Sequence, residues 1–334
     1  MTSSTAKKAV FSALVLLPAL AVPAAGLYLF FFTNLPQLLY LSAIRNVYFD
    51  CMRLVPEAYV YSMRPGPCRF TNLEFDVVLT HDGHGFRNAG RPVEDYDVAV
   101  LGDSHAHGWG VQDDETFASI LEATYRRRTI NLAMASYATA REFEALQRHG
   151  GRARYVVLQY CDNDAGENDA ALGLDPAAFR RTVEQEWPGI VGDYHEGKAR
   201  KFLTVVRQLA ALLRERAFES KASWRRQVLS RNVADEAAAF ARLVVRYRDV
   251  LEGKRLIFFE ASGWSANSPA LPAALVAELR RLDWLRSTIV DTATLLDADD
   301  YFFLDDHLNR RGHRKLARAI AAEISAWERR EPSP

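Results

Sequence analysis

Ser104 stands directly after a short apolar run, in the segment Asp97-Val-Ala-Val-Leu101-Gly102-Asp103-Ser104. Two hundred residues later the chain reads Asp305-Asp306-His307-Leu308-Asn309. A strand that ends at Gly-Asp-Ser presents a hydroxyl at the carboxyl edge of a sheet. A carboxylate and an imidazole close together on a late loop supply a base and the group that orients it. Together these are the parts of nucleophilic ester chemistry: an attacking oxygen, a proton acceptor and a fixed tautomer.

Four blocks that could carry such chemistry occur in order. The first is Leu101-Gly-Asp-Ser104-His105-Ala-His107-Gly-Trp-Gly-Val111, followed by the acidic helix start Asp113-Asp114-Glu115. The second is Ile130-Asn131-Leu-Ala-Met-Ala-Ser136-Tyr137. The third is Cys161-Asp162-Asn163-Asp164, after Val156-Val-Leu-Gln-Tyr160. The last is Asp305-Asp306-His307-Leu308-Asn309, with Gly312-His313 behind it.

This set resembles the SGNH, or GDSL, hydrolase superfamily over roughly residues 70–330, in its membrane-anchored, extracytoplasmic form. The resemblance implies Ser104 as nucleophile, His307 as base and Asp305 as the orienting carboxylate. Asp306, adjacent to His307, is expected to point elsewhere. It also implies an oxyanion hole built from Ser104 N–H, Ser136 N–H and the Asn163 side-chain amide. The superfamily's commonest spacing, Asp-x-x-His, would put Leu304 at the aspartate position, whereas Asp305 and His307 fit the Asp-x-His-x-Asn form of membrane-attached members. The chain departs from the family pattern in two further places. Ser136 stands where the family has glycine, and serine enters positive φ less readily. Cys161 replaces the first glycine of the third block.

His105-x-His107, with His81 and His84, could suggest metal ligands, yet no cysteine or carboxylate set completes such a site. No metal and no cofactor are expected. His105, beside Ser104, is expected to bind substrate by lining the acyl pocket, and His313 to be a surface residue of the last helix.

The elements that must position these residues are legible from Tyr96 onward. Strands are expected at 97–101, 129–133, 155–160, 255–260 and 288–290, as short apolar runs covered on both faces. Helical spacing appears between them. Phe240, Leu243, Val244, Tyr247, Val250 and Leu251 form one stripe, ended by Gly253. Leu316, Ile320, Ile324 and Trp327 form another, with Asn309 as its N-cap. Strand and helix alternation predicts an α/β fold: a three-layer α/β/α sandwich with a five-stranded parallel sheet in flavodoxin-like order. Residues 165–250 are too long for one crossover and are expected to be a helical insertion near the carboxyl edge of the sheet. A further amphipathic helix is expected there on Phe202, Val205, Val206, Leu209 and Leu213.

The amino end has a different character. Lys7-Lys8 precede a run from Ala9 to Ile44 without a charged residue. A bilayer needs about 20 apolar residues of helix, so the domains expected are a cytoplasmic tail 1–8, a transmembrane anchor 9–33, a connector 34–70 and the hydrolase-like domain 71–330. Cleavage of a signal peptide near Ala24-Ala25 is the rival reading. An anchor is preferred because Leu27 to Phe32 carries the apolar run past that point. The positive-inside rule then puts the domain outside the cytoplasm, in the periplasm if the cell is Gram-negative. In an oxidising compartment Cys51 and Cys68 are the plausible disulfide pair; the alternative leaves all three cysteines free.

With 42 basic and 42 acidic residues the formal net charge is zero, which speaks against a nucleic-acid partner. The expected function is serine-dependent hydrolysis of carboxylic esters, on O-acylated glycans or lipid esters. The same residues would serve an O-acyltransferase working beside a membrane-bound O-acyltransferase partner. A third reading is a non-catalytic glycan-binding or scaffold protein.

Overall fold

The computed structural model describes residues 2–32, 51–71, 74–90, 95–192, 210, 232–263, 267–303 and 305–330. Helix α1 (Thr2–Phe32) contains Pro18 and Pro23. Two ribbons follow: β1 (Met52–Leu54) with β2 (Tyr61–Met63), and β3 (Gly66–Thr71) with β4 (Asp76–His81), both antiparallel. The central sheet then builds from β5 (Val98–Leu101), β6 (Thr129–Asn131), β7 (Tyr155–Tyr160), β8 (Arg255–Glu260) and β9 (Arg286–Val290).

The helices between these strands are α2 (Ser104–His107), α3 (Phe117–Tyr125), α4 (Thr139–His149), α5 (Asp164–Gly173), α6 (Pro176–Gly192), α7 (Val233–Arg246), α8 (Arg248–Leu251) and α9 (Leu271–Leu279). After β9 come α10 (Thr292–Leu295) and the long α11 (Arg310–Arg330).

The sheet order is β6-β5-β7-β8-β9, with every neighbouring pair parallel. This is the expected five-stranded sheet, and the doubly wound order expected for it. The strand order reverses at β5, so the crevice at its carboxyl end is the position where open α/β sheets bind ligands. Ser104 lies there.

Alternation along the strands divides the core. Val98, Val100, Val157, Ile257 and Phe259 face one layer, where Phe117 and Leu121 of α3 meet Leu316, Ile320 and Ile324 of α11. Ala99, Leu101, Val156, Leu158, Leu256 and Phe258 face the other, against Phe143 of α4, Phe240 and Leu243 of α7 and Leu275 of α9. Leu316, Ile320 and Ile324 are fully buried; each such side chain contributes roughly 1.5–3 kcal/mol.

The expected domain boundary at residue 71 is not a structural break. It falls inside the β3–β4 hairpin, where Cys68 faces Leu79 and Phe70 faces Val77. Those side chains belong to the main core, so residues 51–71 pack as part of the domain. Cys51 and Cys68 are joined by a disulfide, and Cys161 is free and buried. The insertion is helical where it is described, and α7 covers the sheet as an ordinary crossover helix does. The helix expected on Phe202 to Leu213 lies outside the described residues. Among the described residues no helix is long and apolar enough to cross a membrane.

Candidate active site

Ser104 opens α2 immediately beyond β5, and two features force that tight turn. Gly102 has φ +143°, and a Cβ there would lie 2.5 Å from Gln159 Oε1 and 2.6 Å from Ala106 Cβ, so only glycine fits. Asp103 caps the turn by accepting the His105 N–H at 3.0 Å. On the far side of α2, Gly108 and Trp109 donate their N–H groups to Ser104 O at 3.1 and 3.0 Å. The loop after α2 is organised by Arg87, whose side chain is 1% exposed. It donates to the carbonyls of His107 (3.1 Å), Gly108 (2.5 Å) and Val111 (2.6 Å) and to Asp113 Oδ1 (2.8 Å).

The late loop brings the other partners. A bridge between Tyr301 and Leu308 closes it, and Phe302 N donates to His307 O at 3.0 Å. Glu74 accepts the N–H groups of Phe303 (2.6 Å) and Asp305 (2.7 Å). Asn309 Oδ1 caps α11 by accepting from Arg311 N at 2.8 Å. The base of the loop is thus tied to both the β3–β4 ribbon and the last helix.

Ser104, His307 and Asp305 come together. His307 Nε2 is 2.7 Å from Ser104 Oγ, and His307 Nδ1 is 2.6 Å from Asp305 Oδ1. Asp305 Oδ1 also accepts the His307 backbone N–H at 3.0 Å, and Oδ2 accepts the Trp109 indole N–H at 3.2 Å. Asp306 does not point elsewhere as expected: its Oδ1 is 3.3 Å from His307 Nδ1, farther than that of Asp305, and its side chain is 65% exposed against 1% for Asp305. The His307 ring is held between Trp109, stacked at 4.9 Å, and His105 at 4.7 Å. Burial pushes its pKa down, but the charge and hydrogen bond of Asp305 outweigh this. With Asp306 and Asp103 adding their charge, the imidazole is raised to about 9.

His105, expected to line an acyl pocket, is 3% exposed. It packs beside the base, and burial first, then the charge of His307, holds its own pKa well below the usual value. His313, expected on the surface, is fully buried. It lies on the inner face of α11, where Nδ1 accepts the Phe117 N–H at 3.2 Å and burial pulls its pKa down to about 3. His81 and His107 form a buried pair with Nε2 atoms 3.2 Å apart. No third ligand atom accompanies them among the described residues.

Ser136 sits in the left-handed region, with φ +64°. That conformation costs a non-glycine residue roughly 1–2 kcal/mol. Its carbonyl is held from behind by the Tyr61 hydroxyl at 3.0 Å and by Arg141, itself paired with Glu167 at 2.6 Å. The preceding loop is tied to the nucleophile turn through Met134 N, which donates to Gly102 O at 3.0 Å. Asn163 precedes α5 at the carboxyl end of β7 and is exposed. Among the described residues, no hydrogen bond occupies the Ser104 N–H, the Ser136 N–H or the Asn163 amide. A cavity of about 320 Å³ lies between α5 and α7, lined by Tyr160, Asn168, Asp235, Glu236 and Arg242, and none of Ser104, His307 and Asp305 lines it.

Sequence reasoning missed Trp109, Arg87, Glu74 and Gln159 as supports of the site. Gly-Trp-Gly behind the serine was a visible signal for Trp109. The other three lie on distant segments, and only the fold brings them in.

No protein-family model matches the chain, and no curated protein resembles it in sequence. Solved structures do resemble it in fold. One is a carbohydrate esterase family 2 enzyme of Corynascus thermopiles, at 14% identity and TM-score 0.40, covering 75% of this chain and 70% of that one. Another is a lipolytic protein of the G-D-S-L family from Desulfitobacterium hafniense, at 10% and 0.38, covering 68% and 99%. A third is an acetylxylan esterase from Geobacillus stearothermophilus, at 12% and 0.36, covering 70% and 95%. At such identities and scores, what this site can do is decided by its own side chains.

Proposed function

We propose that this protein is a serine-dependent carboxylic ester hydrolase that works through an acyl-serine intermediate. The observation that carries the reading is the continuous line Ser104 Oγ, His307 Nε2, His307 Nδ1, Asp305 Oδ1, with links of 2.7 and 2.6 Å. His307 takes the Ser104 proton as Oγ attacks the acyl carbon, and Asp305 stabilises the resulting imidazolium. Charge on the former carbonyl oxygen is met by the N–H groups of Ser104 and Ser136 and by the Asn163 amide. Each such donor is worth about 3–4 kcal/mol in the transition state. Collapse expels the alcohol with the proton from His307. A water molecule, deprotonated by the same ring, then releases the acid and frees Ser104.

The substrate we propose is an O-acylated glycan or a lipid ester, met outside the cytoplasm by a domain tethered through residues 9–33. The disulfide between Cys51 and Cys68 supports an oxidising compartment, and the uncharged run after Lys7-Lys8 supports the tether.

The test uses a fluorophosphonate probe, which should label Ser104 in the wild-type protein and neither Ser104→Ala nor His307→Ala. Release of acetate from p-nitrophenyl acetate should follow the labelling. Labelling that persists in Ser104→Ala would sink the assignment. If added oligosaccharide diverts the acyl group into acyl-sugar at the expense of free acid, the protein is an acyltransferase on the same residues. A folded protein that no acyl donor modifies is a binding protein. For the tether, alkaline phosphatase fused after residue 60 should be active, and carbonate washing should leave the protein in membranes.

A further inference from the structure

Two carboxylates compete for one imidazole N–H. Asp305 Oδ1 lies 2.6 Å from His307 Nδ1 and Asp306 Oδ1 lies 3.3 Å from it. The two residues are adjacent and carry the same charge, so Coulomb attraction to the ring does not by itself choose between them. Water favours the wrong one. The Asp305 side chain is 1% exposed and the Asp306 side chain 65%, and burying a carboxylate is costly unless hydrogen bonds replace its hydration. Something must hold Asp305 in.

We propose that Trp109 is the positioning residue that selects Asp305 over Asp306 as the partner of His307, an inference that rests on the catalytic reading above. Three contacts support it. The indole N–H donates to Asp305 Oδ2 at 3.2 Å, on the oxygen that His307 does not use. The indole ring stacks on His307 at 4.9 Å and 21°, so it fixes the plane in which Nδ1–H must point. The Trp109 backbone N–H donates to Ser104 O at 3.0 Å, which ties the same residue to the nucleophile turn. Trp109 itself has little freedom, being 3% exposed and edge-on to Phe70 at 4.4 Å. One residue therefore spaces nucleophile, base and carboxylate, its side chain touching the last two and its backbone the first. A buried donor to an ionised acceptor is the kind of hydrogen bond whose loss is felt most.

The test is a double-mutant cycle on p-nitrophenyl acetate hydrolysis, with kcat/KM followed across pH. The charged and titratable groups around His307 are Asp305 and Asp306 from its own loop, Asp103 and His105 from the nucleophile turn, and His313 from α11. Trp109→Phe changes none of them and keeps an aromatic ring beside the imidazole. It should lower kcat/KM about 10- to 100-fold, the range of one hydrogen bond to a charged group. Asp306→Asn alone should change it less than about 3-fold. Combined with Trp109→Phe, the same substitution should cost at least about 5-fold more than it does alone, and lower the midpoint of the pH profile further than the small downward shift it causes alone. If Trp109→Phe does not fold, benzothienylalanine placed at position 109 keeps the indole shape without its N–H and enters the same cycle. Strictly multiplicative effects, with Ser104 still labelled by the fluorophosphonate, would overturn the role of Trp109 and leave the catalytic reading standing. Absence of Ser104 labelling in the parent protein would overturn both.

Discussion

Gln159, near the end of β7, accepts the Asp103 N–H at 2.9 Å and the Ala106 N–H at 3.3 Å through one side-chain oxygen. Its Nε2 donates to Ala261 O at 3.1 Å. A single amide thus joins the ends of three adjacent strands, β5, β7 and β8, under the nucleophile. Gln159→Leu keeps the volume and leaves two buried N–H groups and one carbonyl without that partner. At about 1–3 kcal/mol for each unsatisfied group, the variant should lose about 3 kcal/mol or more. Urea denaturation measures this, and an unchanged midpoint would show that the amide is not structural.

The raised pKa of His307 couples stability and activity in opposite directions. Against an ordinary value of 6.5, a folded-state value of about 9 means that folding favours the protonated ring. That contribution is fully present below about pH 6.5 and is lost as pH rises through about 9. The shift corresponds to roughly 3 kcal/mol. The base, however, acts only when neutral, so kcat/KM should climb through the same window. His307→Gln should show a flatter dependence of unfolding free energy between pH 6 and pH 10 than the wild type. A rate that already levels off near pH 6.5 would mean that Asp305 does not stabilise the imidazolium in the free protein.

Ser136 holds a left-handed backbone that glycine enters without strain. Relief of roughly 1–2 kcal/mol is partly offset by the about 0.4–1 kcal/mol that glycine adds to the freedom of the unfolded chain. Ser136→Gly should therefore be neutral to modestly stabilising in a melting experiment. The proposed oxyanion donor is the backbone N–H, so fluorophosphonate labelling of Ser104 should proceed at close to the wild-type rate. A large loss of labelling would mean that the Ser136 hydroxyl has a role of its own.

The sheet was legible because its strands are buried on both faces: 155–160 and 255–260 were expected with the observed bounds. The strand expected at 288–290 is longer, Arg286–Val290, because its first residues are half-exposed at the edge of the sheet and lack the apolar run. Ser104, Asp305 and His307 were legible because the chemistry demands those types close to turns. Spacing could not reveal that His105 and His313 point inward. Burial of a histidine is decided by what packs over it, here His307 and Tyr301 for one and Phe117 for the other. The join between residues 51–71 and the domain was hidden for the same reason, since short strands of mixed burial carry little periodicity.

That join gives the last prediction. The disulfide between Cys51 and Cys68 closes 17 residues of chain, and within them lies Tyr61. The Tyr61 hydroxyl bonds Ser136 O, while the Tyr137 hydroxyl bonds Tyr61 O and the two rings meet edge-on at 5.2 Å. The ribbon therefore buttresses the loop that carries one proposed oxyanion donor. A crosslink over a loop of this size stabilises by about 3 kcal/mol, chiefly by restricting the unfolded chain. Replacing both cysteines by serine should lower the melting temperature by several degrees. It should also slow Ser104 labelling more than His307 titration is altered, because the Ser136 carbonyl loses its rigid support while the late loop stays anchored by Glu74. Adding a reductant to the wild-type protein should reproduce both effects and leave the double-serine variant unchanged. Equal stability of the oxidised and reduced forms would mean that packing of Tyr61, Phe70 and Tyr137 holds the ribbon without the bond.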